Sequence, residues 1–368
     1  MDIVDLQPNG SLVANTIIGR KEEVIAKLPK FMSFLMHMPN KTYFSLFIPE
    51  LSEDLPKGYE YYVISFHEPI NPFWLAKQST TLEGKIICLY NGTCYDNVFG
   101  DNVFFYQFID WHLQCDKILQ LHGKKDHTKK PKYKIGAINN RITYSKLIAF
   151  TAIAEYLGED SCLLKLGNFL EQKNVNYKQK LGIELLDQLQ DCFYEKYYGR
   201  EITEYEPDYL REYSNIEHNS YPYSVYHKDV ALHICLETYS YSYMSDELCK
   251  NYIRPGPELT EKTFKCLVGG TPFITIGQAY THKTLAQLGF SFDYGPLDMS
   301  FDTLEGNFDR LIATVNLIKS LDKLSISQIV DFTKQSANHN QQHIVSGDFA
   351  KKCNEVNQNT ITNIINNI

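Results

Sequence analysis

The sequence predicts an α/β protein of two domains, and three observations carry that expectation. Short runs rich in aromatic and β-branched residues, bounded by Pro, Gly, Asn and Asp, alternate with stretches of helical spacing. The chain has 368 residues, enough for two domains of ordinary size. A strand ending in Glu237 precedes a run, Thr260 to Phe290, that reads as helix, glycine stop, buried strand and second helix.

In chain order, Val24, Ile25, Leu28, Phe31 and Leu35 approach helical spacing around a disruptive Pro29. Four runs then read as buried strands: KTYFSLFI, YEYYVISF, GKIICLY and NVFFYQFI. Between the second and third, NPFWLAKQSTTLEG predicts a short helix. A first domain would therefore span residues 1–130. Lys124, Lys125, Lys129, Lys130, Lys132 and Lys134 follow in an apolar-poor segment, which reads equally as an exposed connector or a basic patch.

A second domain is expected over 131–330. It opens with a strand, an Asn-Asn-Arg turn at Asn139 to Arg141, and a helix from Thr143 to Leu157 stopped by Gly158. Another helical pattern lies within 178–199. Thirteen of the 26 tyrosines fall between Tyr194 and Tyr252, without periodicity, and predict a long irregular loop. VALHICLET is a buried strand. Thr260 then suits an N-cap, Gly269 and Gly270 a left-handed stop, and Pro272 a barrier before Phe273 to Ile276. An amphipathic helix is expected from Thr303 to Lys323, and residues 331–368 form a helical tail that would pack back on the first domain.

The formal net charge of −8 argues against nonspecific coating of nucleic acid. Nine scattered cysteines, with no CxxC pair, indicate neither a disulfide framework nor structural zinc. No apolar run is long enough to span a membrane and no signal peptide is visible, which predicts a cytoplasmic protein without membrane insertion. The dinucleotide fingerprint and the phosphate loop of nucleotide hydrolases are absent.

The start of the 260 helix is the sharpest chemical signal. Unpaired backbone N–H groups and the positive end of the helix dipole gather there, and Lys262 adds a full charge, which suits a phosphate. The ordered run LTEKTFKCLVGGTPFITIG, with LAQLGF and DMSFDTLEGNFDRL after it, resembles the donor half of glycosyltransferases of the GT-B type. In pattern it is similar to fucosyltransferases, across roughly residues 230–320. The resemblance implies two Rossmann-like domains facing a cleft, a nucleotide-diphosphate sugar as donor, and an acceptor hydroxyl. It gives Lys262 and Arg141 the diphosphate and Glu261 the ribose, with Thr260 at the helix start and Glu237 lining the same crevice.

No Asp-x-Asp pair occurs, so leaving-group stabilisation without a metal, and with no cofactor, is expected. For the acceptor's base, His67 and Glu68 stand just past one strand, and Asp110 with His112 past another, where active-site groups of open α/β sheets gather. The family's own catalytic acid is not matched by motif. The Asn, Ile, Lys and Tyr bias resembles proteins of AT-rich viral or low-GC bacterial genomes, in which related transferases modify glycans or hydroxymethylated DNA; for a viral protein the compartment would be the host cytoplasm. The competing readings are a nucleic-acid-binding protein using the 124–134 lysine segment, and another nucleotide-sugar enzyme such as an epimerase or hydrolase.

Overall fold

The structure is a computed structural model, and it describes residues 42–45, 54–66, 72–90, 101–109, 111–122, 130–139, 143–166, 180–198, 202–203, 229–237, 256–257 and 259–367. It is a mixed α/β, Rossmann-like architecture with two parallel sheets, and its contacts divide into two units. The first unit comprises Met1–Gln114, Ser242–Glu258 and Ala350–Ile368; the second comprises Cys115–Tyr241 and Leu259–Phe349. The helical pattern around Val24 to Leu35 falls outside the described residues.

In the first unit, β1 (Thr42–Ser45), β2 (Tyr61–Phe66), β3 (Lys85–Tyr90) and β4 (Val103–Gln107) form a wholly parallel sheet in chain order. These are the four aromatic and β-branched runs of the sequence. The helix α1 (Pro72–Thr81) returns the chain from β2 to β3, as a parallel connection requires. Trp74 and Leu75 of α1 pack on Tyr62, Ile64, Ile86 and Cys88. After β4 comes α2 (Trp111–His122).

The second sheet contains β5 (Tyr133–Asn139), β6 (Cys162–Leu166), β7 (Ile202–Thr203), β8 (Val230–Leu236) and β9 (Phe273–Ile276), in the order β7-β6-β5-β8-β9. All pairs are parallel except β6 with the short edge strand β7. The chain moves outward from β5 to β6, then restarts on the other side of β5 with β8. That reversal leaves a switch point at the carboxyl ends of β5 and β8, the position where open α/β sheets place ligands.

Helices cover both faces. Between β5 and β6 runs α3 (Tyr144–Leu157), and α4 (Glu184–Lys196) follows β6. Between β8 and β9 runs α5 (Glu261–Gly269), and after β9 come α6 (Thr281–Gln287), α7 (Asn307–Leu321), α8 (Ile326–Val345) and α9 (Asp348–Asn367). Side chains of a strand alternate between faces, and here the alternation can be followed. Ile234 and Leu236 join the core made with α3, α4 and α7, whereas Cys235 between them meets Thr263 of α5 at 3.5 Å.

The helix α2, the strands β6 and β7, and α8 before the expected helical tail at 331 went unread in the sequence. The run CLLKL forms β6 directly behind α3. The helix α8 escapes because much of its buried face is polar: Thr333, Ser336, Asn340 and Gln341 are all inside. Thr333 donates to the Ile329 carbonyl of its own helix, Asn340 pairs with both the N–H and C=O of Ser291 in the loop after α6, and Gln341 donates to the Val268 carbonyl of α5. The helix expected from Thr303 begins instead at Asn307. Ser300–Thr303 form a 3₁₀ turn, Gly306 occupies the N-cap, and Leu304 is 36% exposed rather than on the packed face.

The last helix belongs to the first unit over most of its length. Asn357 accepts from Ile109 N–H at 2.7 Å and donates to Ile109 C=O at 2.8 Å, and Thr360 donates to the carbonyl of Gln107 at the end of β4. Asn357 is buried, so removing its amide strands two backbone groups. Asn357→Ala is expected to destabilise the first unit by about 2–4 kcal/mol, read as a lower denaturant midpoint with an unchanged slope; a shift under about 0.5 kcal/mol would show that water replaces the amide.

Candidate anion site at the carboxyl edge of the second sheet

The site is built on the start of α5. Thr260 has extended backbone, φ −117° and ψ 179°, and its hydroxyl accepts the Lys262 N–H at 3.4 Å, so it is the N-cap that the sequence indicated. At the far end Gly270 adopts the left-handed conformation, φ 58° and ψ 32°, which stops the helix before Pro272 and turns the chain into β9. Phe264, Leu267 and Val268 are fully buried, so the helix cannot roll without exposing them.

Glu237, immediately after β8, fixes where that helix begins. Its side chain is buried, with 1% exposure, and both oxygens are occupied. Oε1 accepts from the Thr260 N–H at 3.1 Å and from the Thr263 hydroxyl at 2.5 Å, while Oε2 accepts the Thr260 hydroxyl at 2.6 Å. A carboxylate buried at a helix N-terminus is stabilised by the dipole and by such short charge-assisted bonds. The Lys262 ammonium comes within 3.1 Å of the Thr260 hydroxyl oxygen. A line of contacts therefore runs from the end of β8 through Thr260 to a half-exposed lysine in the first turn of α5.

The strand β9 contributes Gly277 just beyond its end. A Cβ there would press on Thr275 Cγ2 at 3.1 Å and make ordinary contact with the Thr281 hydroxyl at 3.4 Å and Glu237 Cβ at 3.7 Å. The Gly277 carbonyl accepts from Arg310 Nε at 3.1 Å. Arg310, on α7 and buried, also donates to the carbonyls of Leu304 and Glu305 and to Asn307 Oδ1. With Ser145, Thr275, Asn307 and Thr314, Gly277 and Arg310 line a small recess with room for about one water.

The helix α6 is held by a buried pair. Asp302 accepts the backbone N–H groups of His282 and Lys283, each at 2.9 Å, and lies 3.2 Å from His282 Nδ1. On the other side of the ring, His282 Nε2 accepts the N–H of Thr275 at 3.3 Å. With Nε2 accepting, Nδ1 is the ring nitrogen that donates to Asp302. Burial alone would push the Asp302 carboxyl up, but hydrogen bonds from the His282 side chain and backbone and from Lys283 N–H outweigh it and hold Asp302 below the ordinary carboxyl range.

Of the residues singled out in the sequence, Glu237, Thr260 and Lys262 are brought together. Glu261 opens α5 beside them. Glu237 reaches the site through Thr260, because its own oxygens are spent inside the protein rather than lining a crevice. Arg141, His67, Glu68 and Asp110 lie outside the described residues. His112 is in α2 and buried. From the lysine segment, Lys132 faces Asp229 at 3.6 Å and Lys134 donates to the Asp322 carbonyl, while Lys124, Lys125 and Lys129 are outside the described residues. Among the described residues no group of three or more His, Cys, Asp or Glu could hold a metal, and no helix is long and apolar enough to cross a membrane.

The sequence reading missed Arg310, His282 and Asp302. An arginine among the apolar positions Phe308, Leu311 and Ile312 is a legible anomaly; the pairing of His282 with an aspartate twenty residues on leaves no local trace. No protein-family model matches the chain, and comparison with curated proteins finds no match.

Asp302→Asn is expected to cost about 1–3 kcal/mol at neutral pH by weakening the cap of α6. Because the folded carboxyl is held low, its contribution is fully present above the unfolded value near about pH 4 and is lost as pH falls through the folded one. The loss of stability on acidification should therefore be shallower in the variant than in the native chain, and equal slopes in urea titrations from about pH 5 to 2 would remove this role.

Proposed function

We propose that the chain is a glycosyltransferase of the GT-B type that moves a sugar from a nucleotide-diphosphate donor to an acceptor hydroxyl. The observation that supports it is the start of α5. A helix N-terminus is fixed beside the switch point of a parallel sheet, with a lysine ammonium in its first turn. This is the arrangement that binds a diphosphate through backbone N–H groups, helix dipole and a point charge. The ordered Thr260-Glu261-Lys262 run, with its glycine stop and following strand, supplies the remainder of the reading.

In that reading Lys262 and the positive end of the α5 dipole take up the charge that develops on the leaving diphosphate, Arg141 contributes a planar fork to the same group, and Glu261 accepts from the ribose hydroxyls. The acceptor's proton passes to His67 or Glu68, with Asp110 in reserve. The acceptor is a glycan or a hydroxymethylated DNA base. Transfer proceeds without a metal, the cations and the helix dipole serving in its place.

Lys262→Ala should weaken nucleoside diphosphate binding at least tenfold, about 1.4 kcal/mol, by calorimetry; unchanged affinity across a panel of nucleoside diphosphates would remove the site. Sugar transfer should persist in excess chelator, and turnover lost in chelator and restored by manganese or magnesium would overturn the metal-independent mechanism.

A further inference from the structure

We infer that Tyr280 is kept in a strained backbone conformation to position the Glu305 carboxylate, which with Lys283 contacts the hydroxyls of the donor's sugar. This rests on the reading of the chain as a nucleotide-sugar transferase. Among the described residues Tyr280 is the one non-glycine in the left-handed region, at φ 64° and ψ 17°. A bulky side chain is an outlier there, whereas glycine or asparagine adopts the conformation readily. The turn itself does not call for a tyrosine. Its N–H donates to the Asp302 carbonyl at 2.6 Å and its carbonyl accepts the Thr284 N–H at 2.8 Å, bonds that any residue but proline would make.

The side chain does something else. Its phenol donates to Glu305 Oε1 at 2.7 Å, and the Lys283 ammonium stands 5.1 Å from the ring centroid. Glu305 and Lys283 are exposed and Tyr280 is half-buried. Exposed contacts of this kind are too weak to recover the strain of a left-handed tyrosine, so the fold alone does not account for the residue. The hydrogen bond to Glu305 pushes the Tyr280 phenol above the ordinary tyrosine range, which keeps it protonated and donating. With one oxygen held by the phenol, Glu305 has a second to offer a ligand hydroxyl.

The charges select the ligand. Glu305 repels an anion and Lys283 repels a cation, but a neutral polyol gives hydroxyl protons to the carboxylate and lone pairs to the ammonium. Tyr280 follows β9, the neighbour of β8 in the sheet, and so belongs to the same carboxyl edge as the start of α5. A nucleotide donor anchored at that edge by its diphosphate carries such a polyol as its sugar.

The test sets stability against binding in the full chain. Tyr280→Asn, which removes the strain, should leave the urea midpoint unchanged or raise it; a lower midpoint would assign the tyrosine to the fold and overturn the inference. The probes are UDP and GDP beside UDP-glucose, UDP-N-acetylglucosamine and GDP-fucose, titrated by calorimetry. The native chain should bind one conjugate about tenfold more tightly than its bare diphosphate. Tyr280→Asn and Glu305→Ala should each abolish that margin while affinity for the bare diphosphate is kept. A margin that survives both variants overturns the inference. So does a native chain that binds the diphosphate with no preference for a conjugate, although the diphosphate site then stands. If no diphosphate binds, the transferase reading fails, and saturation-transfer spectra with the methyl glycosides of the same sugars decide the sugar contact alone: transfer that Glu305→Ala removes upholds it, and no transfer, or transfer that Glu305→Ala leaves intact, overturns it.

Discussion

Parallel strand pairing is the constraint from which the rest of this structure follows. Strands that all run one way cannot be joined by tight turns, so each return crosses a sheet face, here as α1 in the first unit and as α3 and α5 in the second. Each such helix starts on the carboxyl side of the strand before it, α5 only after the long segment that follows β8. Helix N-termini, with their unpaired N–H groups, therefore collect at the carboxyl edge of the sheet, and the reversal of strand order between β5 and β8 opens that edge. The carboxylate of Glu237 is located by the same rule: it is the first residue past β8, and it meets the helix that must cross back from that strand.

Three buried polar ties of the second unit meet at this edge. Glu237 ties β8 to α5, Asp302 and His282 tie the 3₁₀ turn and β9 to α6, and Arg310 ties the end of β9 to the start of α7. Each is charged or titratable, and each is satisfied by several partners, which is the condition for carrying such a group inside. Arg310 spends its donors on three backbone carbonyls and an amide oxygen, so its charge is held by dipoles.

Much of the fold was legible because the relevant signals are local. The runs that became β1 to β4 combine β-branched or aromatic content with sharp turn boundaries, and the ends of α3 and α5 are written in Thr143, Gly158, Thr260 and Gly270. The illegible parts depend on distant partners. The helix α8 buries Ser336 and Asn340 because Asp293 and Ser291 in a distant loop supply their hydrogen bonds, and Gln341 because α5 does, and no periodicity of apolar residues announces that. The site divides the same way. Thr260 and Lys262 are visible as a helix start, whereas the inward commitment of Glu237 and the pairing of His282 with Asp302 exist only after the strands are laid side by side.

The contact between Asn357 and Ile109 has a consequence for how the protein is made. These residues are 248 positions apart, and at roughly 5–20 residues per second the ribosome separates them by about 12–50 s. During that interval β4 has left the exit tunnel as an edge strand while the helix that binds the backbone at its carboxyl end does not yet exist. The second unit, whose strands and helices are all synthesised before α9, can complete its sheet first. The nascent first unit spends that interval with the end of β4 uncovered.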